Sequence, residues 1–108
     1  MDIKPKILIV DDERFYINVL VELLQDDYKL YIAKSGEQAL KRIADNPPDL
    51  ILLDIMMPGM DGYQTCQKIK QQPLWRNIPI IFLTGKTDPE SEAQAFDYGA
   101  VDFISKPI

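Results

Sequence analysis

Short apolar runs alternate with amphipathic segments along the whole chain. The runs contain only five to seven residues and are rich in β-branched side chains, which is typical of strands. They are KILIV (Lys6–Val10), KLYIA (Lys29–Ala33), DLILLD (Asp49–Asp54), IPIIFLT (Ile78–Thr84) and VDFIS (Val101–Ser105). The third run has four consecutive apolar residues, which indicates a strand buried on both faces, as in a parallel sheet.

The segments between the runs have the periodicity of helices. ERFYINVLVELLQ places apolar residues at helical spacing, and this stripe is expected to face the core: Tyr16, Val19, Leu20, Leu23 and Leu24. The second helix is predicted to begin after Ser35, which has capping-box spacing to Gln38, and to end before Pro47.

Two further helices are predicted in the second half of the chain. DGYQTCQKIKQQ forms the third and ends before Pro73, with Cys66 as a buried structural thiol. The fourth is expected to have Asp88 as N-cap, Pro89 at its first position and Gly99 as C-cap. Its apolar face is weak, and the pattern assigns it to Ala93, Phe96 and Ala100.

Five strands alternating with helices predict an α/β fold, an open parallel sheet with helices on both faces and right-handed crossovers. In such sheets a site forms at the carboxyl ends of the strands. The length of 108 residues suits a single domain.

Composition excludes several classes of function. The net charge of −5 and the lack of a basic run argue against direct contact of this domain with nucleic acid or an anionic membrane. The chain has no histidine, which removes histidine-based zinc sites and catalytic triads. We find no signal peptide and no apolar run of about 20 residues, and we expect a cytoplasmic protein.

Residues that could form a functional site lie where the predicted strands end. They are Asp11 and Asp12 after the first strand, Asp54 at the end of the third, Thr84 and Gly85 at the fourth, and Lys106 and Pro107 after the fifth. If the first and third strands are neighbours, three carboxylates share one pocket and raise one another's pKa values. Mg²⁺ would relieve this repulsion, so the pattern predicts an open magnesium site.

The same pocket suits phosphoryl transfer. A carboxylate such as Asp54 can act as a nucleophile toward phosphorus. Lys106 and Thr84 can donate to phosphoryl oxygens, and Gly85 leaves room for an incoming phosphodonor. No residue of the pocket is suited to act as general base for a second, hydrolytic step.

Four motifs, ILIVDDE, LILLDIMMPGMDG, PIIFLTG and GAVDFISKP, resemble the receiver domain of two-component response regulators. The resemblance extends from about Lys6 to Ile108. It implies a three-layer, doubly wound (βα)5 flavodoxin-like fold with strand order 2-1-3-4-5. The family usually continues past Lys-Pro into a fifth helix, whereas this sequence stops at Ile108. We therefore expect a receiver that is truncated, or cut from a longer multidomain regulator, with apolar surface left bare beside the first helix.

The resemblance implies roles for the residues that match its motifs. Asp54 would be the phosphoacceptor. Mg²⁺ would be bound by Asp12, by Asp11 partly through water, by Asp54 and by the backbone carbonyl of Met56. Lys106 would pair with the phosphoryl group.

Other matched positions would serve switching and loop shape. Thr84 would bond to the phosphoryl group after transfer, and Phe103 matches the aromatic switch position. Pro58 and Gly62 would shape the loop after the third strand, and Asp61 would cap the helix that follows. The Lys106-Pro107 bond matches one that is usually cis in the family.

The implied function is phosphorelay signalling. A sensor histidine kinase or a histidine phosphotransfer protein would donate the phosphoryl group, since the chain has no histidine of its own. The face made by helix 4 and strand 5 would then change and control an output domain or effector, or support a homodimer. Such a receiver is a signalling domain rather than an enzyme, although it assists its own phosphorylation and dephosphorylation.

Three alternatives remain open on the residues. A phosphatase of the haloacid-dehalogenase type also uses a strand-end aspartate and Mg²⁺, but it needs an acid/base aspartate where this chain has Met56. A flavodoxin-like FMN binder needs a Ser/Thr-rich phosphate loop where this chain has DDER. A pseudo-receiver would bind partners without phosphorylation.

Overall fold

The structure, a computed structural model, describes residues 3–85 and 89–106, with the backbone alone for residues 89–92. The strands are β1 (Lys6–Val10), β2 (Lys29–Ala33), β3 (Leu50–Asp54), β4 (Ile80–Thr84) and β5 (Asp102–Ser105). The helices are α1 (Arg14–Leu24), α2 (Gly36–Asp45), α3 (Gly62–Gln71) and α4 (Pro89–Asp97). The predicted roles of Asp88 and Pro107 fall outside the described residues.

The five strands form one parallel sheet in the order β2-β1-β3-β4-β5. This order confirms the predicted doubly wound fold. Val10 of β1 pairs with Leu53 of β3, so the residues that follow them, Asp11 and Asp54, lie at the same level of the sheet. The order therefore places the ends of β1 and β3 side by side at its centre.

Apolar side chains fill a core on each face of the sheet. Alternate residues of β3 divide between them: Ile51 and Leu53 belong to the cluster under α2 and α3, and Leu52 belongs to the cluster under α1. This division explains the unbroken apolar run of the third strand, because a strand covered on both faces has no solvent side.

The predicted buried stripe of α1 is confirmed at Leu20 and Leu24, is wrong at Leu23, and omitted Ile17. The helix buries Ile17 and Leu20, and Leu23, which was assigned to the core, is 61% exposed. Eight of the eleven residues in RFYINVLVELL are apolar or aromatic, so more than one stripe satisfies helical spacing. The sheet selects the stripe that begins at Ile17, and Tyr16 is left free for another contact.

The predicted apolar face of α4 is confirmed at Ala100 but wrong at Ala93 and Phe96. Ala95 is buried, whereas Ala93 is exposed and Phe96 is 49% exposed. Phe96 packs edge-on against Phe103 of β5 at 5.8 Å between ring centroids, so its ring lies beside the helix instead of under it. Gly99 ends the helix with φ of +95°, as its C-cap assignment predicted.

The predicted caps of α2 and α3 are confirmed. Ser35 Oγ accepts a hydrogen bond from the Gln38 backbone N–H at 3.1 Å. Asp61 and Gln64 form a full capping box, in which each side chain accepts from the other residue's backbone N–H. The box fixes the start of α3 only a few residues beyond the end of β3.

Cys66 lies fully buried on α3, as predicted. Its Sγ donates to the carbonyl oxygen of Tyr98 at 3.2 Å, and burial raises the pKa of the thiol to about 11. Tyr63 of α3 stacks on the ring of Tyr98 at 4.6 Å between centroids. The two contacts join α3 to the end of α4.

An apolar groove of about 290 Å³ opens on the α1 side of the sheet. It is lined by side chains of α1 and the sheet, among them Leu20, Leu23, Leu24, Leu52 and Ile104. Bare apolar surface was expected here. Among the described residues, no helix combines the length and apolar character that crossing a bilayer requires.

Candidate functional site

Four carboxylates meet at the ends of β1 and β3. Asp11 is fully buried and Asp54 is 3% exposed, whereas Asp12 and Glu13 are exposed. Each offers a carboxylate oxygen, and the four oxygens lie within 4.8 Å of one another. The first three were predicted from the sequence. Glu13 was not, although its place directly after the Asp pair at the same strand end was a usable signal.

Lys106 enters this cluster from β5. Its Nζ lies 2.9 Å from Asp11 Oδ2, 3.4 Å from Asp54 Oδ1 and 3.8 Å from Glu13 Oε1. Its side chain is 7% exposed, so these ion pairs are largely shielded from water. The sequence placed Lys106 at this edge correctly, and the structure brings its ammonium closest to Asp11.

The backbone positions this lysine as well. Thr84 pairs with Ser105 at the ends of β4 and β5, and the Lys106 N–H donates to the Thr84 carbonyl oxygen at 2.7 Å. Thr84 itself is buried. Its carbonyl therefore holds the base of the lysine while the side chain reaches past β4 to Asp54 and Asp11.

An aromatic ring covers the ammonium. Lys106 Nζ lies 4.1 Å from the centroid of the Tyr16 ring, in the first turn of α1. Sequence reasoning missed this contact because it assigned Tyr16 to the core-facing stripe. The sequence did contain a signal for this contact: Tyr16 lies four residues after Asp12, on the helical turn closest to the acidic residues.

Burial makes the Asp54 carboxyl reluctant to ionise. Burial first, and the neighbouring Asp11 charge second, raise the pKa of Asp54 to about 7, although Lys106 opposes the shift. For Lys106 itself, burial favours the neutral form, but the contact with Asp11 and the charge of Asp54 outweigh it and raise the pKa. The lysine therefore stays charged, and Asp54 is poised between its two forms near neutral pH.

The oxygen atoms of the cluster fit a hard divalent cation. Asp11 Oδ1 accepts a hydrogen bond from the Glu13 N–H at 2.9 Å. Asp11 Oδ2 is buried and accepts no hydrogen bond of good geometry from any described residue, apart from its ion-pair contact with Lys106. It can therefore accept a further bond, and an all-oxygen acidic set is the type that Mg²⁺ prefers.

The loop between β3 and α3 approaches Asp54 closely. A Cβ at Gly62 would overlap the Asp54 carbonyl oxygen and lie 2.6 Å from Ile55 Cα, and the Gly62 N–H donates to the Ile55 carbonyl at 2.8 Å. Only glycine permits this approach. In the same loop Pro58 is exposed and precedes Gly59, whose φ is +74°.

The remaining predicted site residues lie around the pocket. The Met56 side chain is 69% exposed. A Cβ added at Gly85 would meet nothing within 4 Å among the described residues. Phe103 is half-buried, and its ring packs on Phe96 and against the core.

A doubly wound parallel sheet with an acidic pocket at the carboxyl ends of its strands places the chain in the flavodoxin-like class of α/β proteins. The family model of the response regulator receiver domain matches residues 7–108. The chain therefore belongs to the receiver domain family, whose members are signalling domains of two-component phosphorelays.

Curated relatives and solved structures agree. Over 102 residues the chain is 47% identical to a probable cyclic di-GMP phosphodiesterase of Vibrio cholerae, covering 94% of this chain and 23% of that protein. It is 40% identical over 104 residues to the response regulator PleD of Caulobacter vibrioides, covering 95% and 23%. A putative response regulator from Chloroflexus aurantiacus superposes with a TM-score of 0.93 at 36% identity, covering 98% of this chain and 88% of that one.

The chain spans about a quarter of the length of these two curated relatives. Their names therefore describe proteins with much more chain than the receiver alone.

Proposed function

We propose that Asp54 is the phosphoacceptor of this receiver and takes its phosphoryl group from a phosphohistidine on a sensor histidine kinase or a histidine phosphotransfer protein. One observation carries the proposal: Asp54 is buried at the end of the central strand, in a pocket that also holds three further carboxylates and the Lys106 ammonium. Asp11 is the other buried carboxylate of the pocket, but it accepts the Glu13 N–H with one oxygen and pairs with Lys106 at 2.9 Å with the other.

The proposed reaction is a displacement at phosphorus. An Asp54 carboxylate oxygen forms a bond to the phosphorus atom as the bond from phosphorus to the imidazole nitrogen breaks, and the nitrogen keeps the electron pair. Lys106, which is fully charged, pairs with the transferred phosphoryl oxygens as their charge shifts. Gly85, which carries no side chain, would leave room for the donor.

Mg²⁺ is the cation proposed for the acidic cluster, held by Asp11, Asp12, Asp54 and the backbone carbonyl of Met56. When bound, it would supply positive charge that keeps Asp54 ionised and offsets the charge of the phosphoryl oxygens. The buried Asp11 Oδ2, which has only its ion-pair contact with Lys106, and the raised pKa of Asp54 support this assignment, because a bound cation would contact the first and favour ionisation of the second.

We propose that switching begins at Thr84. The phosphoryl group on Asp54 would attract the Thr84 hydroxyl, the end of β4 would shift, and Phe103 would reorient on β5. Phe103 already contacts Phe96 of α4, so a change at its ring is passed to the face made by α4 and β5. That face would then act on an output domain or effector, or join two copies of the chain.

The wider setting is proposed from the relatives. Response regulators act between histidine kinases and output domains, and the two relatives named above are each about four times as long as this chain. We propose that this receiver works in the cytoplasm as one domain of a longer regulator, and that it assists the gain and loss of its own phosphoryl group.

The test is phosphorylation by acetyl phosphate with Mg²⁺, followed by intact mass. The wild-type chain should gain one phosphoryl group, base-labile and acid-stable, and should gain none when EDTA replaces Mg²⁺. Asp54→Asn should remain unmodified. Asp26→Asn, which removes an exposed aspartate near the end of α1, is the matched control and should be labelled like the wild type.

Two results would contradict the proposal. An unmodified wild-type chain would indicate a pseudo-receiver that binds partners without phosphorylation. Continuous release of phosphate from a phosphate monoester, many times per chain, would indicate a phosphatase of the haloacid-dehalogenase type.

A further inference from the structure

The Tyr16 ring has no part in the functions proposed above, yet it touches the central cation of the site. Lys106 Nζ lies 4.1 Å from the ring centroid, well within the range of a cation–π contact. Tyr16 is only half-buried, and it turns away from the buried stripe that begins at Ile17. Its ring is therefore placed for the lysine and not for the core.

The Lys106 ammonium needs a fixed contact because three carboxylates attract it from different positions. Its Nζ lies 2.9 Å from Asp11, 3.4 Å from Asp54 and 3.8 Å from Glu13. If a divalent cation or a phosphoryl group changes the charge of one neighbour, the ammonium is drawn toward another. The Tyr16 ring is uncharged and attracts the ammonium in every such state.

We propose that Tyr16 is a positioning residue for phosphoryl transfer, holding the Lys106 ammonium over the strand ends while its anionic partners change. This inference rests on the proposed role of Asp54. In this role Tyr16 makes no contact of its own with the reacting phosphorus atom. It acts through Lys106 by keeping the cation within reach of the transferred oxygens.

Two features make the ring suited to this role. Tyr16 lies on the first turn of α1, three residues after Glu13, so the ring follows closely on the segment that contains Asp11, Asp12 and Glu13. The Phe15 ring meets the Tyr16 ring edge-on at 5.3 Å between centroids, which steadies its orientation. Its face also shields the ammonium from water and so strengthens the nearby ion pairs.

The decisive experiment changes the electron density of the ring without changing its shape. Tyr16 is replaced by phenylalanine and by phenylalanines carrying one, two or three ring fluorines, and the rate of phosphorylation by acetyl phosphate is measured with saturating Mg²⁺. Fluorine withdraws electron density from the ring face and weakens cation–π attraction. The rate should fall stepwise along the series, by about fivefold or more in total.

Side-chain truncation gives an independent arm. Tyr16→Leu should lower the rate by about fivefold to tenfold, whereas Tyr16→Phe should stay within about twofold of the wild type. Tyr28→Leu is the matched control, because Tyr28 packs against the core under α1 and should leave the rate unchanged. In a Lys106→Met background, Tyr16→Leu should cause no further loss.

The outcomes separate the two proposals. A wild-type chain that gains no phosphoryl group overturns the role of Asp54, and the role of Tyr16 with it. A wild type that is labelled, with a flat fluorine series, overturns the role of Tyr16 alone. A Tyr16→Leu loss that persists without Lys106 does the same, since it would mark a purely structural effect.

Discussion

The surroundings of Asp54 disfavour the ionised form of its carboxyl group. Burial and Asp11 raise the pKa of this carboxyl from 3.8 to about 7, so between these values the native state binds a proton that the unfolded chain has lost. Stability must then fall as pH rises through that range, the reverse of the behaviour of a carboxylate stabilised by an ion pair. The residue most suited to accept the phosphoryl group is thus a source of instability while no cation is bound.

We expect Asp54→Asn to be more stable than the wild type at pH 8 in EDTA. The gain in free energy of unfolding should be about 1–3 kcal/mol, since Lys106 loses a partner and offsets part of the relief. The gap should close as pH falls from 7 to 4. Urea unfolding across this range measures it, with Asp26→Asn as control; a gap that does not change with pH would contradict the assignment.

Gly62 fixes the backbone behind the same carboxyl. Because a Cβ there would overlap the Asp54 carbonyl, Gly62→Ala should lower the free energy of unfolding by about 1–3 kcal/mol and slow phosphorylation of Asp54. Gly85→Ala is the matched control, since its added Cβ meets no described atom within 4 Å. Chemical denaturation should find it within about 0.5 kcal/mol of the wild type. Equal losses for the two variants would refute the close-approach argument.

Residue types at strand ends were enough to predict most of the pocket. Asp11, Asp54 and Lys106 converge because parallel strands deliver their carboxyl ends to one edge, which is a property of the fold class. Glu13 and Tyr16 were missed for a different reason. Their contacts depend on the rotation of α1 about its axis, and local sequence does not determine that rotation.

At the scale of the element, sequence patterns that are compatible with only one local structure predicted that structure correctly. Ser35 and Asp61 each precede a helix whose third residue can complete the cap, and both caps are present. For α1 and α4, by contrast, the sequence was compatible with more than one buried face. α1 is apolar on several sides, and in α4 the small Ala95 is buried while the large Phe96 finds a partner in β5. Packing against the sheet decided both cases.

The α3 capping box gives the prediction at this scale. Asp61→Ala removes the acceptor for the Gln64 N–H, and we expect a loss of about 1 kcal/mol in the free energy of unfolding. Asp61→Asn keeps an acceptor and should lose less than half of that. Thermal or urea unfolding of the pair provides the comparison, and identical losses would show that the charge of Asp61, and not its cap, is what matters.

For the whole molecule, the acidic pocket sits in a chain that is already negative, with a net charge of −5. A cation bound there stabilises the native state alone, because unfolding separates the carboxylates. Addition of Mg²⁺ should therefore raise the free energy of unfolding, by about 1.4 kcal/mol at ten times the dissociation constant.

Two controls separate binding from screening. NaCl at matched ionic strength should produce less than half of the stabilisation, because screening acts on every surface charge alike. Asp11→Asn should lose most of the Mg²⁺ effect while remaining folded, as followed by melting temperature. Equal responses to the two salts would argue against a specific site.

The buried contact between Cys66 and Tyr98 makes the Cys66 thiol a natural reporter of separation between α3 and the end of α4. The thiol is fully enclosed, its pKa is about 11, and it is the chain's single cysteine, so a thiol reagent can react only in moments when α3 and the end of α4 part. Labelling kinetics at Cys66 thus count those openings without any introduced probe. If phosphorylation loosens the end of α4, the Cys66 thiol should be modified faster.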